Sequence, residues 1–419
     1  MECSSHSLPE TPHLSSIVDY LEDLATNTSG LPEDIYANGE LRKRLISAIR
    51  RLVPELETPA DTSQRVLYDV FELSAARIGM DLNIFIILSR SDEALSTLEL
   101  ARRTGKEPDV TLMTRILKYM ASVGLVREVD VGMWTSSNYG NNLVEDGYSA
   151  GVCHANDNGL PAYAALPAFL RRHAYHLLGD KTNTAFAMGQ GAGLGITFYD
   201  WLQSRPENAD CFHTFMRTHR TGVRTWLERS DIMDLLAEVF KRESKNVNGE
   251  ARVVFVDVGG GIGQQCNALK KRWPGLEGRI ILEDLEEVVA RAEVGEGIER
   301  VGVNFFEEQP VKGATAYYFR SILRNWPDTS CRIILKNIWD AMDENSFLLI
   351  DELVVPDKGA HKFETQLDMT MLAMLNGEAR SNSHWKELLA DSWFIVKDIA
   401  YYEEEAREAV IVAKKYTQP

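Results

Sequence analysis

Val253-Val-Phe-Val-Asp-Val-Gly-Gly-Gly-Ile-Gly263 is the stretch whose reading decides the fold. Its apolar, largely β-branched start reads as a strand buried on both faces. The run passes through one acid, Asp257, and enters a turn with glycines at 259, 261 and 263. Glycine lets a backbone turn tightly and approach a ligand closely. A buried strand, a glycine turn and a following helix open a parallel α/β sheet. The dinucleotide spacing GxGxxG is not met. From Gly259 it requires glycine at 264, and from Gly261 glycine or alanine at 266, where Gln264 and Cys266 stand. The loop therefore suits a ligand that lacks a pyrophosphate.

Working outward, Arg279-Ile-Ile-Leu-Glu-Asp-Leu285 is a second apolar run ending in acids. Asp284 lies 21 residues past Gly263, where an acid takes ribose hydroxyls. A ribose-binding acid without a pyrophosphate loop points to S-adenosylmethionine. Strands are expected over 253–258, 280–282, 316–319, 347–351 and 410–413, with helices between them. That alternation implies a mostly parallel, doubly wound sheet, a Rossmann-like domain over 246–419.

Upstream, three further regions are expected. Residues 1–15, rich in Ser, Pro and His, read as a disordered tail. Residues 16–148 read as a helical arm followed by a winged helix. Its second helix is Leu112–Leu125, and its hairpin (126–131 and 133–136) turns at Gly132. Residues 149–245 read as helical, and the polar run Lys245–Glu250 as a linker. Glycines at 189, 191, 193 and 195 mimic a phosphate loop, but no strand precedes them and no Gly-Lys-Ser/Thr follows. They are expected to form a turn or lid.

Charge and cysteines exclude several classes. A net charge of −17 repels phosphate backbones, so the winged helix is expected to mediate homodimerisation and not nucleic-acid binding. The five cysteines form no CxxC pair, which argues against zinc and against a disulfide framework. No metal is expected. No apolar run reaches the ~18 residues of a transmembrane helix, and no signal-peptide order opens the chain. A cytoplasmic protein with no membrane partner is the expectation.

Taken together, the winged helix, Asp257–Gly263, Leu282-Glu-Asp-Leu285, Val303-Asn-Phe-Phe306 and Tyr318-Phe-Arg-Ser-Ile-Leu-Arg-Asn-Trp-Pro-Asp328 resemble the fungal and plant class II O-methyltransferases. Leu349-Ile-Asp-Glu352 and Asn376-Gly-Glu-Ala-Arg380 complete the likeness, which covers roughly residues 60–415. The resemblance implies that Asp257, Gly259, Gly261, Gly263, Asp284, Asn304, Phe305 and Arg320 hold the cofactor. Asn304 replaces the family's usual Asp.

Two departures bear on chemistry. The family's general-base histidine is replaced by Arg324, and its second acid–base residue, a Glu, by Ala379; Glu352 remains. A guanidinium has no acceptor lone pair and stays protonated, so it cannot be that base. An arginine or lysine at this position is the mark of the S-adenosylmethionine-dependent pericyclases of fungal pyridone alkaloid pathways, the leporin-pathway type. Resemblance to that group makes His154, just before Leu160–Leu170, the second active residue. It implies a 2-pyridone alcohol as substrate, dehydrated to a quinone methide that closes by hetero-Diels–Alder or Alder-ene cyclisation without methyl transfer. Arg324, His154 and Glu352 are the expected catalytic residues. Phe169, Phe186, Met188, Phe215, Met216, Met369 and Met374 are the candidate pocket walls, with core packing as the competing reading of each. Two rival readings stay open. One is a true O-methyltransferase that has recruited another base, such as His176, His213 or His219. The other is a non-catalytic cofactor-binding scaffold.

Overall fold

A computed structural model describes residues 14–26, 39–193, 195–218, 225–229, 251–403 and 408–416. The tail expected over 1–15, all but its last two residues, and the linker Lys245–Glu250 lie outside these, as do Cys3 and His219. The chain divides into an N-terminal unit, residues 1–72, and a large unit, residues 73–419.

Among the described residues, the N-terminal unit holds α1 (Leu14–Thr26), α2 (Gly39–Leu56) and α3 (Pro59–Tyr68). Pro59 starts α3, where its missing N–H is no loss, and Thr58 closes a capping box with Asp61. No residue of α3 is buried. The next helix, α4 (Val70–Asp81), begins with Val70 and Phe71 exposed.

The large unit begins with the expected winged helix. It comprises α5 (Ile84–Ser89), β1 (Leu95–Ser96), α6 (Thr97–Arg103), α7 (Val110–Ser122), β2 (Val126–Asp130) and β3 (Met133–Ser136). Asp109 caps α7 by accepting from the Leu112 N–H at 2.7 Å. Met113, Leu117 and Met120 recur at helical spacing and are its buried stripe. Trp134 of β3 is fully buried and donates its indole N–H to Thr97 Oγ1 at 2.8 Å. Gly132 turns the hairpin at φ 68°.

A helical region follows: α8 (Asn138–Asn142), α9 (Asp146–Cys153), a π-helical turn (His154–Gly159), α10 (Leu160–Arg172), α11 (Ala185–Gly189), α12 (Phe198–Gln203) and α13 (Pro206–Thr218). The glycine cluster ends α11 and forms a turn, with Gly191, Gly193 and Gly195 all at positive φ.

The third region is an α/β sheet of seven strands. They are β4 (Val253–Val258), β5 (Arg279–Asp284), β6 (Ile298–Gly302), β7 (Ala316–Arg320), β8 (Phe347–Leu353), β9 (Phe394–Glu403) and β10 (Glu408–Lys415). Between them lie α14 (Gln264–Arg272), α15 (Glu286–Val289), α16 (Asp328–Ala341), α17 (Lys362–Leu375) and α18 (Asn382–Asp391). The order is β6-β5-β4-β7-β8-β10-β9, parallel except for β10, which runs antiparallel to both neighbours. All five expected strands form. The sequence reading missed β6, an edge strand that mixes Glu and Arg with its apolar residues, and β9. Succession runs one way from β4 through β5 to β6, and the other way from β7 to β8. β4 is therefore the topological switch point, and ligands of open α/β sheets bind beyond the strand ends there.

Candidate active site

The glycine turn follows β4 directly. Gly259, Gly261 and Gly263 sit at φ 71°, 61° and 88°, which explains the residue type at each. The Gly259 and Gly260 N–H groups donate to the Glu283 carbonyl at 2.8 and 3.0 Å, tying the turn to β5. Asp284 Oδ2 accepts from the Gly261 N–H at 2.8 Å, and Oδ1 from Leu285 N–H. Asp284 thus shapes the loop and remains partly open. Asp257 is fully buried beneath the loop, and its Oδ1 has no hydrogen-bond partner. Burial pushes its carboxyl up to about 7, against the pull of the Cys266 thiol and Arg320. A cationic ligand above the turn would stabilise that carboxylate.

Phe305 is half-buried beside the same turn, close to the Cβ that Gly259 lacks, and packs against Trp326 at 6.0 Å. Asn304 spends its Oδ1 on the Phe306 N–H, so it orders the loop. Arg320 donates to Asp351 at 2.6 Å in a buried network with Tyr318 and Tyr402. Lys181, absent from the sequence reading, lies 3.0 Å from the centre of the Trp326 ring. Burial brings its ammonium down to about 7. Asn376 holds that loop by donating to the Asp180 and Asn183 carbonyls.

Arg324 sits on a short 3₁₀ turn, Leu323–Asn325, after β7. Its side chain is almost wholly buried. Nε lies 3.4 Å from Glu352 Oε2, Nη2 donates to Ser321 Oγ, and the Arg324 N–H donates to Glu352 Oε1. Nη1 is buried with no partner. An unpartnered buried donor costs about 1–3 kcal/mol and favours an acceptor placed against it. Glu352 is 2 % exposed; burial raises its carboxyl and Arg324 opposes that rise. Glu352 thus faces Arg324 through both oxygens, and its Oε2 has no hydrogen-bond partner.

The turn itself is tightly clamped. Ser321 is a non-glycine residue at φ 56°, a strained conformation worth roughly 1–3 kcal/mol. Arg380, fully buried, donates to the Leu323 and Trp326 carbonyls at 3.0 and 2.8 Å and to Asp328. Glu378 N–H donates to the Arg324 carbonyl at 2.9 Å. His384 bridges Asp328 and Glu378 at 2.9 and 3.1 Å. Asp328 thus serves Arg380 and His384, while Arg324 pairs with Glu352.

His154 opens the π-helical turn, a form common at functional sites. Asn158 Nδ2 donates to His154 Nδ1 at 2.8 Å, and Asn158 Oδ1 in turn accepts from Asn208 Nδ2 at 2.6 Å. That amide orientation makes Nδ1 the acceptor and leaves Nε2 with the proton. Burial pushes the imidazole down to about 4, so it is a neutral donor at pH 7. Phe198, Phe212 and Phe215 surround the ring at 6.2, 5.2 and 5.9 Å.

Tyr199 neighbours the His154 cluster and is missed in the sequence reading, where it is one aromatic among several. Its ring lies 5.3 Å from Phe198 and 6.3 Å from Phe212. Burial raises its phenol, and the charge of Arg324 pulls it back. Of the expected pocket walls, Phe215 packs on His154, and Met188, Met216 and Met369 are exposed. Phe169, Phe186 and Met374 belong instead to a closed core with Leu166, Trp201 and Leu202. Helices α10, α11 and α17 share that apolar interior, which is the core packing expected as the competing reading of each.

A family model for the O-methyltransferase domain matches residues 229–395. The O-methyltransferase ucdC of Aspergillus ustus is 33 % identical over 89 % of this chain and 94 % of its own. The chain belongs to the O-methyltransferase family. The O-methyltransferase lepI of Aspergillus flavus is 35 % identical over 88 % of this chain and 93 % of its own. A solved structure described as a pericyclic reaction enzyme superposes with a TM-score of 0.80 at 32 % identity, covering 96 % of this chain and all of its own. The structure of LepI with S-adenosylmethionine does so at 0.80 and 33 %, covering 96 % and 99 %. S-adenosylmethionine is the cofactor of this family, and the site fits it. The glycine turn, the part-open Asp284 and the orphaned carboxylate of Asp257 are the donor set a ribosyl sulfonium needs. Among the described residues, no helix is long and apolar enough to cross a membrane.

Proposed function

We propose that the protein is an S-adenosylmethionine-dependent pericyclase of fungal secondary metabolism. Its substrate class is a 4-hydroxy-2-pyridone carrying a side-chain alcohol. The observation that carries this reading is Arg324: at the family's base position stands a buried guanidinium with Nη1 unpartnered. Such a group donates to an oxyanion and takes no proton. Loss of water from the pyridone alcohol builds negative charge on the ring oxygen, and Arg324 Nη1 is placed to bind it. His154 supplies a second, uncharged donor through Nε2. Removing one preorganised donor of this kind costs about 2.7–4 kcal/mol of barrier. The bound cofactor adds a fixed positive charge, which counts for more in a site shielded from water than in bulk. Asp257, Gly259, Gly261, Gly263, Asp284 and Phe305 are the residues that would hold it, and the exposed N-terminal helices would pair two copies into a homodimer.

The test is an incubation of the protein with S-adenosylmethionine and a pyridone alcohol, followed for both S-adenosylhomocysteine and cyclised product. Cyclised product with no S-adenosylhomocysteine is expected. Stoichiometric S-adenosylhomocysteine would instead establish the O-methyltransferase reading, which the names of several relatives favour. In that case the base would have to be a residue other than Arg324.

A further inference from the structure

α9 and α13 run antiparallel in a register that their contacts define. A Cβ on Gly147 would lie 2.4 Å from Thr218 Cβ, and one on Gly151 2.9 Å from the Phe215 ring. His154 packs on Phe212, and Asn158 bonds Asn208. In the same packing the Cys153 and Cys211 side chains meet, each the hydrogen-bond partner of the other. The glycines bring the two backbones closer than ordinary side chains allow, which is what a disulfide's short Cα–Cα span requires. Both thiols are free and half-buried. The Met80 thioether lies 4.0 Å from Cys153 Sγ.

We propose that Cys153 and Cys211 form a reversible intramolecular disulfide that bolts the His154 turn to α13. The co-reactant is a low-molecular-weight disulfide. The Cys153 thiolate attacks one of its sulfurs and expels one thiolate. The Cys211 thiolate then attacks Cys153 Sγ and expels the second. The two protons lost by the protein end on the two small thiols, so the sum is one disulfide consumed and one formed. Cys153 is the better attacking group: burial raises both thiols, the Arg77 guanidinium is the chief opposing influence at Cys153 and the least of those acting on Cys211, and Cys211 is pushed up to about 11. Arg77 is held there by Asp157 at 3.0 Å. Cys266 and Cys331 are fully buried and stay reduced.

The full-length protein is equilibrated with mixtures of oxidised and reduced glutathione, then digested without reduction for mass spectrometry. A single linked pair of peptides carrying Cys153 and Cys211 is expected, two hydrogens lighter than the separate peptides and reversed by dithiothreitol. Amide exchange across His154–Gly159 should slow at least tenfold in the oxidised form. Cys211→Ser should show neither change. Persistent glutathione adducts on either thiol, two free thiols at full oxidation, or a linked pair with unchanged exchange at His154–Gly159 would each overturn the proposal. No readout depends on turnover, so the result stands apart from the reaction proposed above.

Discussion

Removing the Arg324 side chain should separate a catalytic donor from a structural ion pair. Arg324→Ala deletes Nη1, the unpartnered donor, and the Nε that faces Glu352 at 3.4 Å. Loss of the donor should lower turnover by about 10²–10³, the effect of one preorganised oxyanion donor. Loss of the pair strands a carboxylate that is 2 % exposed, and breaking a buried pair costs about 3–5 kcal/mol. Burial already raises Glu352, and without Arg324 only the lesser pull of Arg380 opposes that rise. The sign follows: a carboxyl raised in the folded state costs no stability below its unfolded value. The cost appears as pH climbs through the folded value. Arg324→Ala should therefore melt far below the parent at pH 8 and less far below it at pH 5. Adding Glu352→Gln removes the stranded charge, so the double variant should regain most of the melting temperature while turnover stays low. Melting curves and single-turnover rates on the two variants measure both quantities. If Glu352→Gln restores turnover together with stability, Arg324 serves only to hold the fold, and the oxyanion argument fails.

Three further outcomes are expected. Asp284→Ala removes the acceptor of the Gly261 N–H and the acid offered to a ribose. S-adenosylmethionine binding by calorimetry should weaken by about 1.5–3 kcal/mol, roughly 10- to 150-fold, and an unchanged isotherm would reassign that acid. His154 is depressed to about 4, so the unfolded chain binds its proton first. Its contribution is complete above pH 6.5 and is lost between pH 6.5 and 4, up to about 3 kcal/mol. Replacing it with Phe should flatten that limb of the melting profile, and an imidazole titrating near 6.5 by NMR would contradict the buried, neutral assignment. Val66, Leu67, Tyr68, Val70 and Phe71 are exposed together, and such a patch calls for a partner surface. Light scattering should report a dimer at micromolar concentration, and a stable monomer of 47.2 kDa would rule it out.

Local pattern was enough for the sheet and its loop. Val253–Val258 must be a buried strand because every one of its residues is apolar except Asp257, and glycines at 259, 261 and 263 anticipate three positive φ angles. The identity of Arg324 likewise excludes base chemistry from the sequence alone, because no environment gives a guanidinium an acceptor lone pair. Other features depend on atoms that meet only in three dimensions. That Glu352 faces Arg324, 28 positions away in the chain, is visible only in the fold. Phe169, Phe186 and Met374 have the composition of pocket walls and become core because three helices converge on them. The state of His154 is set by Asn158, itself oriented by Asn208 fifty residues on. Tyr199 gains its place beside Phe198 and Phe212 from the packing of α12 and α13. Chain-local periodicity carries the first kind of information; partner, burial and tautomer are properties of the folded neighbourhood, which no residue's own sequence window contains.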